Sequence, residues 1–463
     1  MGTSTLWAGV LALTAVVVAC GGGGESSGAA GVSVVPGPVT PVTTVLTVGP
    51  PTPPSPPPPA PPPAPPPAPP PAPPPVATCT PLDLPSTAPA ITYASPLVIT
   101  KGGSYSGNYE SLQSGVAAIT VRTSEPVVIE NVKARSRGRI IEVAAVDADV
   151  TVRNVQGWGL TPTVANQSQG RFFAAEGVKN IVLENNDMVQ TSGVYLNLYR
   201  GNQTAAQTVR LMRNRARNID GRRPDGGQET VQFAQLNALT GLQFAAIGWN
   251  EVINAPGQSL VEDNISIYKS NGTTGSPIAI HDNYIFGAYP RSPDTDSYTG
   301  GGIMAGDGEG TSTADSPGNV QVYGNTLVNI ANYGIAASNG YNIAIVDNRV
   351  TSSGRRHDGG AAIASANVGI YVVDSEPISS VNYFNVTVKG NRIGYARAVD
   401  ATYPRGRNDM WLPGCRERDS CYALNTEIPG PITVQMEKDE YPRWTAKLAA
   451  ANIKVGALPA GCR

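Results

Sequence analysis

Apolar and polar residues alternate between positions 318 and 350 in two copies of one phrase, VQVYGNTL and IAIVDNRV. Their asparagines, Asn325 and Asn348, stand 23 residues apart. Alternation predicts strands, and a repeat of that length predicts coils stacked into a solenoid. The phrase recurs as VTVRNV with Asn154, IVLENNDM with Asn186, VRLMRNRA with Asn214, FAAIGWNEV with Asn250, IAIHDNYI with Asn283 and VTVKGNRI with Asn391. With Asn131 in PVVIENVKA, nine phrases share one register.

A single coil cannot close a core. Parallel strands stacked ~4.8 Å apart give each coil its hydrogen-bond partners above and below, while every second side chain enters a shared interior. Asparagine suits the corner, because it tolerates left-handed backbone and its side chain bonds neighbouring backbone groups. Stacked corner asparagines can also bond one another in a ladder, so these residues read as scaffold.

The phrase with its Asn corner resembles the right-handed β-helix repeat of the pectin-lyase-like superfamily, over roughly residues 96–400. The resemblance implies an all-β, single-stranded right-handed parallel β-helix with a capped C-terminus. Polysaccharide lyases, glycoside hydrolases, uronate epimerases, phage tailspikes and non-catalytic surface proteins all use that fold, which does not choose among them. The sequence lacks the Gly-His-Gly and Arg-Ile-Lys of polygalacturonases, the Asp-Pro-His of mannuronan epimerases and the Trp-Ile-Asp-His of pectate lyases.

The flanks differ in composition. Residues 6–19, LWAGVLALTAVVVA, are too short for a membrane span of ~20 residues and end at VVAC. This segment resembles a bacterial lipoprotein signal, which implies lipidation at Cys20, although MGTSTLW lacks the usual positive charges. The expectation is an exported protein, lipid-anchored in the cell envelope or secreted. Residues 21–76 form a Gly/Ser-rich and then Pro-rich stalk, whose Pro50 to Pro75 stretch would extend roughly 80 Å as polyproline II. The β-helix is placed at 77–400 and a C-terminal cap carrying Trp411 and Trp444 at 401–463. Setting Cys20 aside leaves four cysteines and three possible connectivities. CRERDSC closes a short loop, which favours Cys415 with Cys421, and Cys79 with Cys462 follows by elimination.

A net charge of −2 among 15 % charged residues gives no electrostatic case for nucleic acid. The candidate chemistry lies where the spacing stretches, to 36 residues after Asn214, 42 after Asn283 and 43 after Asn348. The inserts DGRRPDGGQE, RSPDTD and RRHD start at similar phase and so belong on one side of the coil. Arg222, Arg223, Arg291, Arg355 and Arg356 would bind carboxylates of an extracellular, uronate-containing polysaccharide. His357 with Asp358 is a candidate proton-transfer pair, and Asp294 with Asp296 a candidate Ca²⁺ site. Aligning Ile303, Ile335 and Ile370 places Asp307, Asn339 and Asp374 in one column, with Asp307 a candidate catalytic carboxylate. The expected activity is binding or processing of that polysaccharide, by lyase or hydrolase chemistry if catalytic. The alternative is a non-catalytic adhesive or structural surface β-helix.

Overall fold

The computed structural model describes residues 79–463 except 297–299, 309, 359, 376–382, 416–417 and 463. Cys20, the signal segment and the Pro-rich stalk lie outside the described residues. The described chain is a right-handed parallel β-helix, the hand that parallel crossover connections take.

Each coil contributes to three parallel faces. In the coil after Glu262, Asp263–Tyr268 lies on the first face, Ile278–His281 on the second and Tyr284–Ala288 on the third. The next coil repeats the order with Gly301–Asp307, Gly318–Tyr323 and Thr326–Ile330, and each strand pairs in parallel with its predecessor. The alternation in the sequence now has a direction. Ile265, Ile303, Ile335 and Ile370 stack on the first face, Ile280, Val322 and Ile345 on the second, and Ile285, Leu327, Val350 and Ile393 on the third. All are buried in one continuous core.

The corner between the second and third faces holds the asparagine ladder. Nδ2 of Asn186, Asn214, Asn250, Asn283, Asn325, Asn348 and Asn391 each donates to Oδ1 of the next asparagine, at 2.8–3.0 Å. The series ends on Asn425, which the repeat pattern did not include. Two details of the expected corner are corrected. The left-handed residue is the one before the ladder asparagine, such as Asn185, Trp249, Asp282 and Asp347. Asn131 and Asn154 occupy that left-handed position themselves, so they stand one residue out of the ladder's register. An apolar residue immediately after each of them, Val132 and Val155, was the sequence trace of this offset.

The far end and the flank are covered by different parts of the 401–463 segment. Residues 412–415 and 418–432 close the end, burying Leu412, Ile428 and Ile432 beside the Cys415–Cys421 disulfide; α1 (Arg418–Ala423) belongs to this lid. Then α2 (Val434–Lys438) and α3 (Glu440–Ala450) turn back along the third face. Thr433 caps α2 by accepting from Met436 N. Trp444 of α3 is 1 % exposed, packs on Tyr284 and Val328, and donates Nε1 to Asp282 O at 2.9 Å. The chain continues down the coils. Lys454 O accepts from Asn185, Gly456 N donates to Arg213 O, and Leu458 N donates to Asn154 Oδ1. It finishes at the Cys79–Cys462 disulfide, beside the bond from Leu82 N to Ala457 O. Trp444 therefore belongs to a lateral strap and not to an end cap, because the outward apolar residues of the third face need cover. Trp411, in contrast, sits on the last strand of the first face and is 48 % exposed.

Candidate functional site

The three charged inserts do meet, on the side between the third and first faces. Arg291 donates to Gly227 O, Arg356 pairs with Asp294 at 3.1 Å, and Ala364 N donates to Pro293 O at 2.8 Å. Their charges, however, are spent on one another. Arg222 chelates Asp220 at 2.8 and 2.9 Å, and Arg223 pairs with Asp225 at 3.3 Å. Arg355 is exposed, and its carbonyl accepts from Asn329. These loops brace the wall of the first face, and the arginine row expected to grip carboxylates is largely an internal lattice.

The proposed His357–Asp358 pair is separated. His357 turns onto the flank, packs against Phe286 with ring centres 4.6 Å apart, and bonds the fully buried Glu437 of α2. Glu437 also accepts from Asn329 Nδ2 at 2.9 Å and from Ser353 N. Asp358 is exposed and closes its own turn by accepting from Gly360 N. His357 thus fastens the strap, an interaction invisible while α2 was read as part of a terminal cap. The two carboxylates of the Ca²⁺ expectation are engaged by the protein itself. Asp294 is held by Arg356, Asp296 accepts from Ser292 N at 2.9 Å, and among the described residues no three acidic, His or Cys side chains gather as metal ligands.

Asp307 lies elsewhere, on the outer surface of the first face, with carboxylate neighbours the sequence reading missed. Glu262, Asp263 and Asp307 line a cleft of about 240 Å³ together with Tyr333, Ser338 and Tyr371. Ile303, Ile335 and Ile370 do align, yet Ser338 and Ser375, not Asn339 and Asp374, line the cleft beside Asp307. Ser338 Oγ reaches Asp307 Oδ1 at 3.5 Å, and Ser375 Oγ donates to Ser338 O at 2.8 Å. Asn339 is buried behind them.

The acids are not in ordinary surroundings. Asp263 is held far above the usual carboxylate range, first by burial and then by the adjacent Glu262, against the lowering effect of a hydrogen bond from Tyr333. Glu262 is raised by burial and by Asp307, and partly compensated by a 2.9 Å bond from Gln232 Nε2. Carboxyls whose affinity for the proton is raised by burial in a cleft are candidate general acids. One sequence signal existed. Extending the alignment of GIMAGD and GIAASN back one coil to DNISIY places Asp263 in register with Gly301 and Tyr333.

The cleft opens onto a wider depression of about 620 Å³ with which it shares Asn332, Ser338, Tyr371 and Ser375. Trp411, Arg397 and Ser365 complete it. Tyr371 lies edge-on to Tyr333 at 5.1 Å and tilts toward Trp411 at 6.4 Å. Ser365 Oγ is buried without a hydrogen-bond partner, a polar group at the cleft for which the protein supplies no mate. Aromatic faces beside paired carboxyls and unpaired polar groups suit a sugar, whose ring has apolar faces and a hydroxyl edge. No protein-family model matches the chain, and no curated protein matches it.

Proposed function

We propose that this protein binds an extracellular polysaccharide along the outer surface of the first face and hydrolyses it at the Glu262–Asp263–Asp307 cleft. The observation that carries the reading is three carboxyls, Glu262, Asp263 and Asp307, sharing one cleft beneath an aromatic pair, with burial raising Asp263 above the usual carboxylate range. Glycoside hydrolysis needs one carboxylic acid to protonate the leaving oxygen and a second carboxylate to activate water or attack the anomeric carbon. Asp263 or Glu262 supplies the proton and Asp307 is the partner. Tyr371 and Trp411 provide the surface on which a sugar ring packs. Lyase chemistry is the weaker reading, since the residues lining the cleft include no lysine, arginine or histidine to act as base.

In this proposal the fold follows the pectin-lyase-like pattern, while the chemistry does not depend on that family's histidine and arginine motifs. An envelope location through the Cys20 lipoprotein-type signal agrees with a glycan ligand at the cell surface. A panel of neutral and acidic polysaccharides, assayed for new reducing ends and for absorbance of unsaturated uronates, tests the reading. Reducing ends without unsaturated product support hydrolysis. Unsaturated product would assign a lyase, and binding without any turnover would leave the adhesive alternative standing.

A further inference from the structure

Glu262 and Asp263 are consecutive, yet their side chains reach in opposite directions along the β-helix. Asp263 accepts from Tyr333, two coils toward the C-terminus. Glu262 Oε2 accepts from Gln232 Nε2 at 2.9 Å, one coil toward the N-terminus. Gln232 is fully buried and is not among the residues that line the cleft. Its amide oxygen faces a different partner. Arg171, two coils further back, brings Nη1 to 3.5 Å from Gln232 Oε1. The same guanidinium is fixed by Ser192 O at 2.7 Å and Thr230 O at 3.3 Å.

The series Arg171, Gln232, Glu262 has a direction. A guanidinium can only donate, so the amide turns its oxygen to Arg171 and its Nε2 to Glu262. Whatever stands opposite that N–H must accept. A carboxylate accepts with either oxygen, whereas a carboxylic acid commits one of them as a donor. Arg171 therefore acts through the amide to favour the ionised form of Glu262. The surrounding charges agree. Burial and Asp307 raise Glu262, and Gln232 and Arg171 pull it back down. On Asp263, burial, Glu262 and Asp307 all raise, and the Tyr333 bond opposes them. Arg171 itself faces Tyr195, with the ring 5.5 Å from the guanidinium, and also Glu229 and Arg139. Burial lowers Arg171 to about 10, which leaves it a cation at neutral pH.

We propose that Gln232, oriented by Arg171, is a positioning residue for the acid cleft, keeping Glu262 in the accepting, carboxylate role and so assigning proton delivery to Asp263. The proposal rests on the hydrolytic reading above and decides between the two proton donors that reading allows.

The test uses Gln232→Met, which nearly conserves volume and removes the amide, in the wild-type and Glu262→Gln backgrounds, with melting temperature followed from about pH 4 to about pH 8. Losing the bond raises the proton affinity of Glu262 in the native state alone. The deficit of Q232M against the wild type therefore grows as pH climbs above the unfolded carboxyl value, near ~4.3, while in the E262Q background it is the same at every pH. A deficit constant with pH in the wild-type background, or growing equally in both, is the mark of packing alone and overturns the proposal. On a polysaccharide that the wild type turns over, Q232M moves the acidic limb of kcat/KM up by about one pH unit, the size of one lost bond to a carboxylate. Arg171→Met moves it the same way, and Arg171→Lys, which keeps the cation, less far. The basic limb is lost in Asp263→Asn and kept in Glu262→Gln. An unmoved acidic limb, or a basic limb that follows Glu262, also overturns the proposal. A deficit that grows with pH, beside no turnover of any polysaccharide, places the failure in the hydrolytic reading, because the bond from Gln232 to Glu262 then stands without a reaction to serve.

Discussion

The hydroxyl of Tyr333 reaches across Gly301 to donate to Oδ1 of Asp263, two coils away. The span is open only because position 301 has no side chain. A Cβ there would stand 2.2 Å from Asp263 Oδ1 and 2.4 Å from Tyr333 Cζ. Gly301→Ala is therefore expected to push Tyr333 and Asp263 apart, with a stability loss of about 1–3 kcal/mol and a fall in turnover of roughly 100-fold. Tyr333→Phe separates the two effects. It removes a bond that holds the Asp263 pKa down, so the high-pH limb of the rate profile moves to higher pH while the fold persists.

Asp263 also makes a prediction about stability alone. A carboxyl whose pKa is raised by folding costs the native state nothing below the unfolded value, near ~4, and destabilises it progressively from there up to the native pKa, above which the cost is constant. Asp263→Asn keeps the shape and removes the titration. Its melting temperature should match the wild type in acid and exceed it by a growing margin as pH rises toward the native pKa. A constant offset at all pH values would contradict the assignment of burial as the cause.

The ladder should be far less tolerant than its neighbours. Oδ1 of Asn348 accepts from both the backbone N and Nδ2 of Asn325, at 3.1 and 2.9 Å, and its own Nδ2 donates to Val322 O. Asn348→Ala leaves buried donors and an acceptor without partners, at a cost of about 2–4 kcal/mol. Asn131→Ala touches only an exposed left-handed residue and should cost about 1 kcal/mol. Chemical denaturation distinguishes the two, and equal effects would mean the ladder is not what the sequence repeats preserve.

Much of this fold was legible because the repeat itself is the structure. VQVYGNTL and IAIVDNRV alternate with a period of two, and Val320 and Val322 point inward as that alternation requires. Both disulfides and the convergence of the inserts were also readable, the latter from phase. What resisted was anything set by long-range contact. His357 looked like a catalytic neighbour of Asp358, yet its partner, Glu437, is 80 residues on and belongs to a returning strap. The acid cleft joins Glu262 to Asp307 through strands that no local motif links. Burial between stacked coils and the neighbouring Glu262, rather than residue type, are what make Asp263 unusual.

That strap gives a further prediction. His357→Ala strips a partner from the buried Glu437 and should cost about 3 kcal/mol, concentrated in the strap. Limited proteolysis is expected to cut within 434–462 earlier than in the wild type, and Cys462→Ser should add to the effect by freeing the far end. Turnover per folded molecule stays unchanged, since His357 faces the third face. Loss of turnover with an intact strap would restore His357 as a catalytic candidate.

The most direct test of the central claim is the rate of reducing-end release by Asp307→Asn and Asp263→Asn beside the wild type, on whichever polysaccharide the wild type turns over. With circular dichroism unchanged, both variants should fall by at least roughly 100-fold, the scale of a lost general acid or base. Wild-type rates in both would contradict a hydrolytic site at this cleft.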